Sequence, residues 1–187
     1  MKKILFISTL CMMIFSCNNS PAPGPQAATS ETASDTGSTK KTQPVEFADM
    51  KYTDIGKAGI QQLTNADIDG WMGAFADNAV YIWSAGDSLA GKKAIGDYWK
   101  DRRTKVIDSL SFTNDIWLPI KVNQSQRGPD LPGVWLMGWY QFNSKYKNGQ
   151  RVVGWMHVDM HFDNNDKIDR FVQYIDRAPI TAALSKK

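Results

Sequence analysis

Ile68-Asp69-Gly70-Trp71-Met72-Gly73-Ala74-Phe75-Ala76-Asp77-Asn78-Ala79-Val80-Tyr81-Ile82-Trp83 changes its hydrophobic period halfway along, and that change decides the fold. The first half carries Ile68, Trp71, Met72 and Phe75 at helical intervals, with Asn65 or Asp67 placed to cap the helix. Asp77-Asn78 interrupts the pattern, and Ala79 to Trp83 is β-branched and aromatic, which predicts a strand. Upstream, Phe47, Met50, Ile55 and Ile60 are spaced loosely as on another helical piece, so 46–76 reads as two helices. Downstream, Ser84 to Gly91 contains Gly86-Asp87 and reads as a turn region. A further amphipathic helix follows from Lys92 to Val106, with Ile95, Trp99, Arg102 and Val106 on one face.

Beyond that helix the sequence predicts strands: Ser111 to Val122, Val134 to Tyr146, Arg151 to Phe162 and Ile168 to Asp176. Asn148-Gly149 is a hairpin signal between the second and third, and Asp163-Asn164-Asn165-Asp166-Lys167 joins the third to the fourth. Helices first and an antiparallel meander afterwards is an α+β pattern.

The front of the chain reads as an address. Met1-Lys2-Lys3 is positively charged, and the apolar run Ile4 to Phe15 is too short to cross a bilayer but suits a signal peptide. Ile14-Phe15-Ser16-Cys17 resembles the lipobox of bacterial lipoproteins, which implies cleavage after residue 16 and acylation of Cys17; an ordinary secretory signal with a bystander thiol is the alternative. Residues 17–44 contain none of the large apolar side chains until the domain begins, and read as a flexible tether reaching roughly 25 to 30 Å. Asn18, where some bacteria use aspartate for inner-membrane retention, leans the expected location towards the outer membrane, facing the periplasm. With Cys11 removed and Cys17 acylated, no disulfide is available.

Residues 45–187 form the remaining domain. The formal charge of +3 falls to +1 once Lys2 and Lys3 are gone, so nothing suggests a nucleic-acid partner. Seven Trp, eight Phe and six Tyr exclude a disordered chain.

The order Trp71 to Tyr81, then Gly91-Lys92-Lys93-Ala94-Ile95, then Asp166-Lys167-Ile168 leading to Phe171, Tyr174 and Asp176, resembles the nuclear transport factor 2-like superfamily, in particular its polyketide cyclase (SnoaL-like) branch. The resemblance covers residues 50–180. It implies a curved sheet wrapped around helices, forming a cone with a pocket at its open end, often as a homodimer. It implies little about chemistry, because such a fold hosts many reactions.

By that resemblance Asp176 is a pocket acid or base, assisted by Tyr174, Tyr81 or His157; the alternative is a carboxylate held by Arg177, Arg151 or a backbone amide. Epoxide hydrolases of this fold add an arginine and a second aspartate, which Trp135 to Phe142 does not supply. On the third meander strand, alternation puts His157, Asp159 and His161 on one face and Met156, Val158, Met160 and Phe162 on the other. The two histidines, roughly 13 Å apart at about 3.3 Å per residue, cannot share one metal ion. His157 with Asp159 reads as a hydrogen-bonded pair, either functional or on a polar outer face. Tyr81, Trp83, Trp99, Trp135 and Trp139 are candidate ligand-binding aromatics, each equally able to serve as core. GxSxG, HExxH, P-loop and GxGxxG motifs are absent, and no cofactor is expected. Two functions follow as expectations: a membrane-tethered module binding a small, largely apolar ligand in its cone, or a cofactor-independent cyclase, dehydratase or isomerase using Asp176.

Overall fold

The structure, a computed structural model, describes residues 42–125 and 131–186. The signal segment, Cys17 and nearly all of the tether therefore lie outside the described residues. Seven strands form one sheet in the order β1-β4-β5-β6-β7-β2-β3. In chain order the elements are β1 (Val45–Phe47), α1 (Lys51–Thr64), α2 (Ile68–Met72), β2 (Phe75–Trp83), β3 (Ser88–Ala90), α3 (Lys92–Lys105), β4 (Ile107–Val122), β5 (Gly133–Tyr146), β6 (Arg151–Phe162), β7 (Ile168–Ile175) and α4 (Ala178–Ser185). The chain is α+β, and β4 to β7 are the expected antiparallel meander; β2 joins β7 in parallel and is the one exception to antiparallel pairing.

The period change at residues 68–83 is real, but its position differs. Asp67 caps α2, its Oδ1 accepting from the Gly70 amide at 2.9 Å. The helix ends at Met72, and Phe75 already belongs to β2, only 1% exposed. Asp77-Asn78 does not end an element. The register against β7 shifts between Phe75 and Val80, and both polar residues are exposed on that irregular stretch, so the interruption is a bulge inside one strand.

Other corrections have tertiary causes. Phe47 and Met50 are 80% and 64% exposed: the first lies in β1, an edge strand paired with β4, and neither belongs to a helical stripe. The turn region after Trp83 contains β3, paired with β2. Gly91 at the start of α3 has φ +90°, a region open to glycine, and its amide donates to Ala79 O at 2.7 Å, fixing where the helix leaves β2. The segment after Asp176 is a helix, α4. Asn148 in the β5–β6 hairpin clamps it, its side-chain amide donating to the carbonyls of Ala183 and Lys186, both at 2.9 Å.

The Asp163–Lys167 turn ties the sheet to α1. Asp163 Oδ1 accepts from the amides of Asn165 and Lys167, and Asp166 accepts from Lys51 Nζ and Tyr52 Oη, each at 2.6 Å. Those bonds, from Lys51 first and then Tyr52, hold the Asp166 carboxyl below its ordinary 3.8. Asp166, part of the resemblance to a pocketed superfamily, thus anchors a helix.

Along β5 the inward residues Leu136, Tyr140, Phe142, Ser144 and Tyr146 are buried, alternating with partly exposed ones. On β4 the inward parity switches, because Asn114 adopts φ +56° within a register shift between Thr113 and Ile116. Phe112 before the shift and Trp117 after it therefore both reach Tyr140, at ring distances of 5.3 and 5.4 Å. Gly138 makes room for Trp117: a Cβ there would lie 2.4 Å from the indole ring.

Candidate functional site

The inward face of the sheet, with α1, α2, α3 and α4, borders an open cavity of about 260 Å³. Three tryptophans line it: Trp71 from α2, Trp83 from β2 and Trp99 from α3. Tyr81 stacks on Phe171 across the β2–β7 pairing, 4.7 Å between centroids and 11° between planes. Tyr140, Phe142 and Met156 supply a wall from β5 and β6. The α4 residues Ile180, Thr181 and Leu184 border the same space.

Polar groups are few. Tyr81 Oη donates to Gln173 Oε1 at 2.8 Å, and Gln173 Nε2 donates to Met156 Sδ at 3.4 Å, so this buried pair is internally matched. Burial raises the Tyr81 and Tyr140 phenols well above their ordinary 10.0, which keeps both protonated as donors and unfit as bases. The Trp99 indole N–H is buried and has no hydrogen-bond partner among the described residues. Arg177 and Arg102 also line the cavity. The guanidinium of Arg177 lies 5.9 Å from the Trp83 ring and that of Arg102 5.7 Å from the Tyr98 ring. Among the described lining residues there is no Asp, Glu, His, Lys or Cys.

The structure brings Tyr81, Trp83 and Trp99 together at the cavity and places the other candidates elsewhere. Asp176 is exposed, and its Oδ1 accepts from the Ala178 amide at 2.9 Å at the entry to α4, so the backbone-amide alternative describes its contact. It does not line the cavity. Trp135, Trp139, His157, Asp159 and Tyr174 belong to the opposite, outer face. His157 is stacked between Trp139 at 4.5 Å and Tyr174 at 5.3 Å, and Trp135 packs on His161 at 4.9 Å. His157 Nε2 does meet Asp159 Oδ1 at 2.8 Å, an ion-pair distance without the alignment of a directed hydrogen bond. Burial outweighs that neighbour and raises the Asp159 carboxyl. His161 Nδ1 pairs with Asp169 at 2.6 Å. The outer face also exposes Val153, Trp155 and Tyr174.

Pairing explains the sorting. Trp139 is the cross-strand partner of His157 and Trp135 that of His161, whereas Tyr140 partners Met156. Once Met156 is placed inward, Tyr140 must follow it and Trp139 must face out. Gln173 and Phe171, which sequence reasoning passed over as site residues, share this inward parity on β7. Arg102 carried a signal too, through its shared helix face with Trp99.

No protein-family model and no curated protein matches the sequence. Solved structures do match the fold. A candidate polyketide cyclase from Xanthomonas campestris pv. campestris superposes with a TM-score of 0.59 at 14% identity, over 73% of this chain and 98% of that one. An NTF2-like protein of unknown function from Burkholderia pseudomallei gives 0.56 at 12%, over 71% and 96%. TerC, co-crystallised with polyporic acid, gives 0.53 at 10%, over 72% and 98%. The chain has the nuclear transport factor 2-like fold, as its residue order suggested.

Proposed function

We propose that this protein is a lipid-tethered component of the bacterial cell envelope, held by Cys17 at the outer membrane, whose cone binds a small, largely apolar ligand. The observation that carries the binding half is the cavity itself: aromatic walls, a few fixed donors and no general base among its described lining residues. The aromatic lining favours a flat ligand, which stacks with little loss of its own conformational freedom. TerC, of the same fold, was crystallised with a small molecule.

Titration calorimetry of the full chain with 2-naphthylmethanol, 2-naphthamide and 2-naphthoate tests this reading. Saturable one-to-one binding of at least one is the expected result; failure of all three up to their solubility limits would overturn it.

The tether half rests on residues 1–44 alone. Cys17→Ser is expected to accumulate as an uncleaved precursor that incorporates no labelled palmitate. Normal cleavage of the variant would return the segment to an ordinary secretory signal.

A further inference from the structure

Two arginines border the cavity, and their charges are met differently. Arg177 Nη1 donates to both carboxylate oxygens of Asp87, at 2.7 and 2.8 Å, so that cation is answered inside the protein. Arg102 has no carboxylate partner among the described residues. The acids around its helix are committed to lysines: Asp69 to Lys100, Asp97 to Lys93 and Asp101 to Lys105. Arg102 lies instead against the Tyr98 ring, half-buried at the cavity wall. Its field reaches inward: it is the cation that partly offsets the burial of the Tyr81 and Tyr146 phenols, both of which line the same space.

Trp99 stands three residues before Arg102 on the same helix face, with its N–H buried and unsatisfied. The cavity therefore offers a cation, and its described lining contains no acid to neutralise it. A wholly apolar ligand would cover Arg102 and leave its charge without a counterion, at a desolvation cost. A ligand bearing a carboxylate converts that cost into a charge-assisted hydrogen bond, which the planar guanidinium can make with two parallel N–H donors.

We infer that the cavity takes a planar aromatic acid, with its ring among the aromatic side chains that line the cavity and its carboxylate at Arg102. This deepens the proposed binding function and rests on it. The small cavity limits the ring system to about two fused rings.

The test compares 2-naphthoate with 2-naphthamide, which share a ring system and differ in charge, on the full chain near neutral pH. The acid should bind at least about tenfold more tightly, the scale of one charge-assisted hydrogen bond. Arg102→Gln should bring the two within about twofold. Arg103→Gln should leave the preference intact, since Arg103 points towards the Thr64 carbonyl instead of the cavity. Equal affinities in the wild type, or a preference that survives Arg102→Gln, overturn the inference while leaving the cavity a binding site. Failure of 2-naphthylmethanol, 2-naphthamide and 2-naphthoate alike overturns the binding reading and this one with it. Should Arg102→Gln not fold, Arg102→Lys and added salt decide instead. The preference must persist in the lysine variant and shrink as ionic strength rises; a salt-independent preference counts against Arg102.

Discussion

Trp71→Ala is expected to destabilise the domain by about 3–5 kcal/mol, the range for removing a fully packed large aromatic side chain. Trp71 is 2% exposed and meets three rings edge-on: Phe75 at 5.0 Å, Trp99 at 5.6 Å and Phe171 at 6.0 Å. It thereby joins α2 to the start of β2, to α3 and to β7. Gly59 of α1 abuts its other side, where an added Cβ would lie 3.3 Å from the indole. Four elements converge on one side chain, so no single neighbour can move into the space without losing its own contacts. Chemical denaturation with an unchanged m-value measures the effect. Trp155→Ala is the control: that side chain is 52% exposed on the outer face, and its loss should stay within about 0.5 kcal/mol of the wild type. A Trp71→Ala cost below about 1 kcal/mol would mean that the helices do not share one core with the sheet.

Much of this arrangement was legible because it is periodic. On β6, Met156, Val158, Met160 and Phe162 are buried, as their alternation implies, and His157 and Asp159 are partly exposed on the other face, while His161, which shares that face, is buried against Trp135. Asp67 as a cap and the two hairpins of the meander were equally visible, because each depends on chemistry within a few residues. What was not legible depends on partners distant in sequence. β1 and β3 are three residues each, and each exists because a longer strand offers an edge. Asp77-Asn78 looks the same to a local reading whether the chain turns or bulges; only β7 alongside decides.

The candidate site shows the same division. Tyr81, Trp83 and Trp99 line the cavity because they sit on elements whose inward face is set by local pattern. Trp135 and Trp139 lie on the other face; size and aromaticity suggest burial without saying on which side of a sheet. Their β6 partners are histidines, so they build a stacked outer layer with His161, His157 and Tyr174. Asp176 was chosen by its position near the end of the last strand. In this chain the strand ends one residue earlier, at Ile175, and the carboxylate is taken by the amide that opens α4.

The outer stack is also what the second large prediction discriminates against. Leu110→Trp is expected to abolish binding of 2-naphthoate, weakening it by about a hundredfold or more, with the fold retained. Leu110 is 7% exposed on β4 and borders the cavity, so a larger ring there grows into open space instead of into packed neighbours. Two fused rings in a cavity of about 260 Å³ occupy the place a naphthalene would take. The stability change should therefore not exceed the range of about 1–3 kcal/mol typical of enlarging a core side chain. Calorimetric titration reads the affinity, and thermal unfolding confirms the fold. If the folded variant binds 2-naphthoate as the wild type does, the ligand sits outside the cone. The Trp139–His157–Tyr174 stack would then be the aromatic surface to test, and Trp139→Ala should remove the binding that Leu110→Trp left. Loss of binding in Leu110→Trp, with Trp139→Ala unaffected, places the ligand in the cavity on the inward face of the sheet, which Leu110 borders.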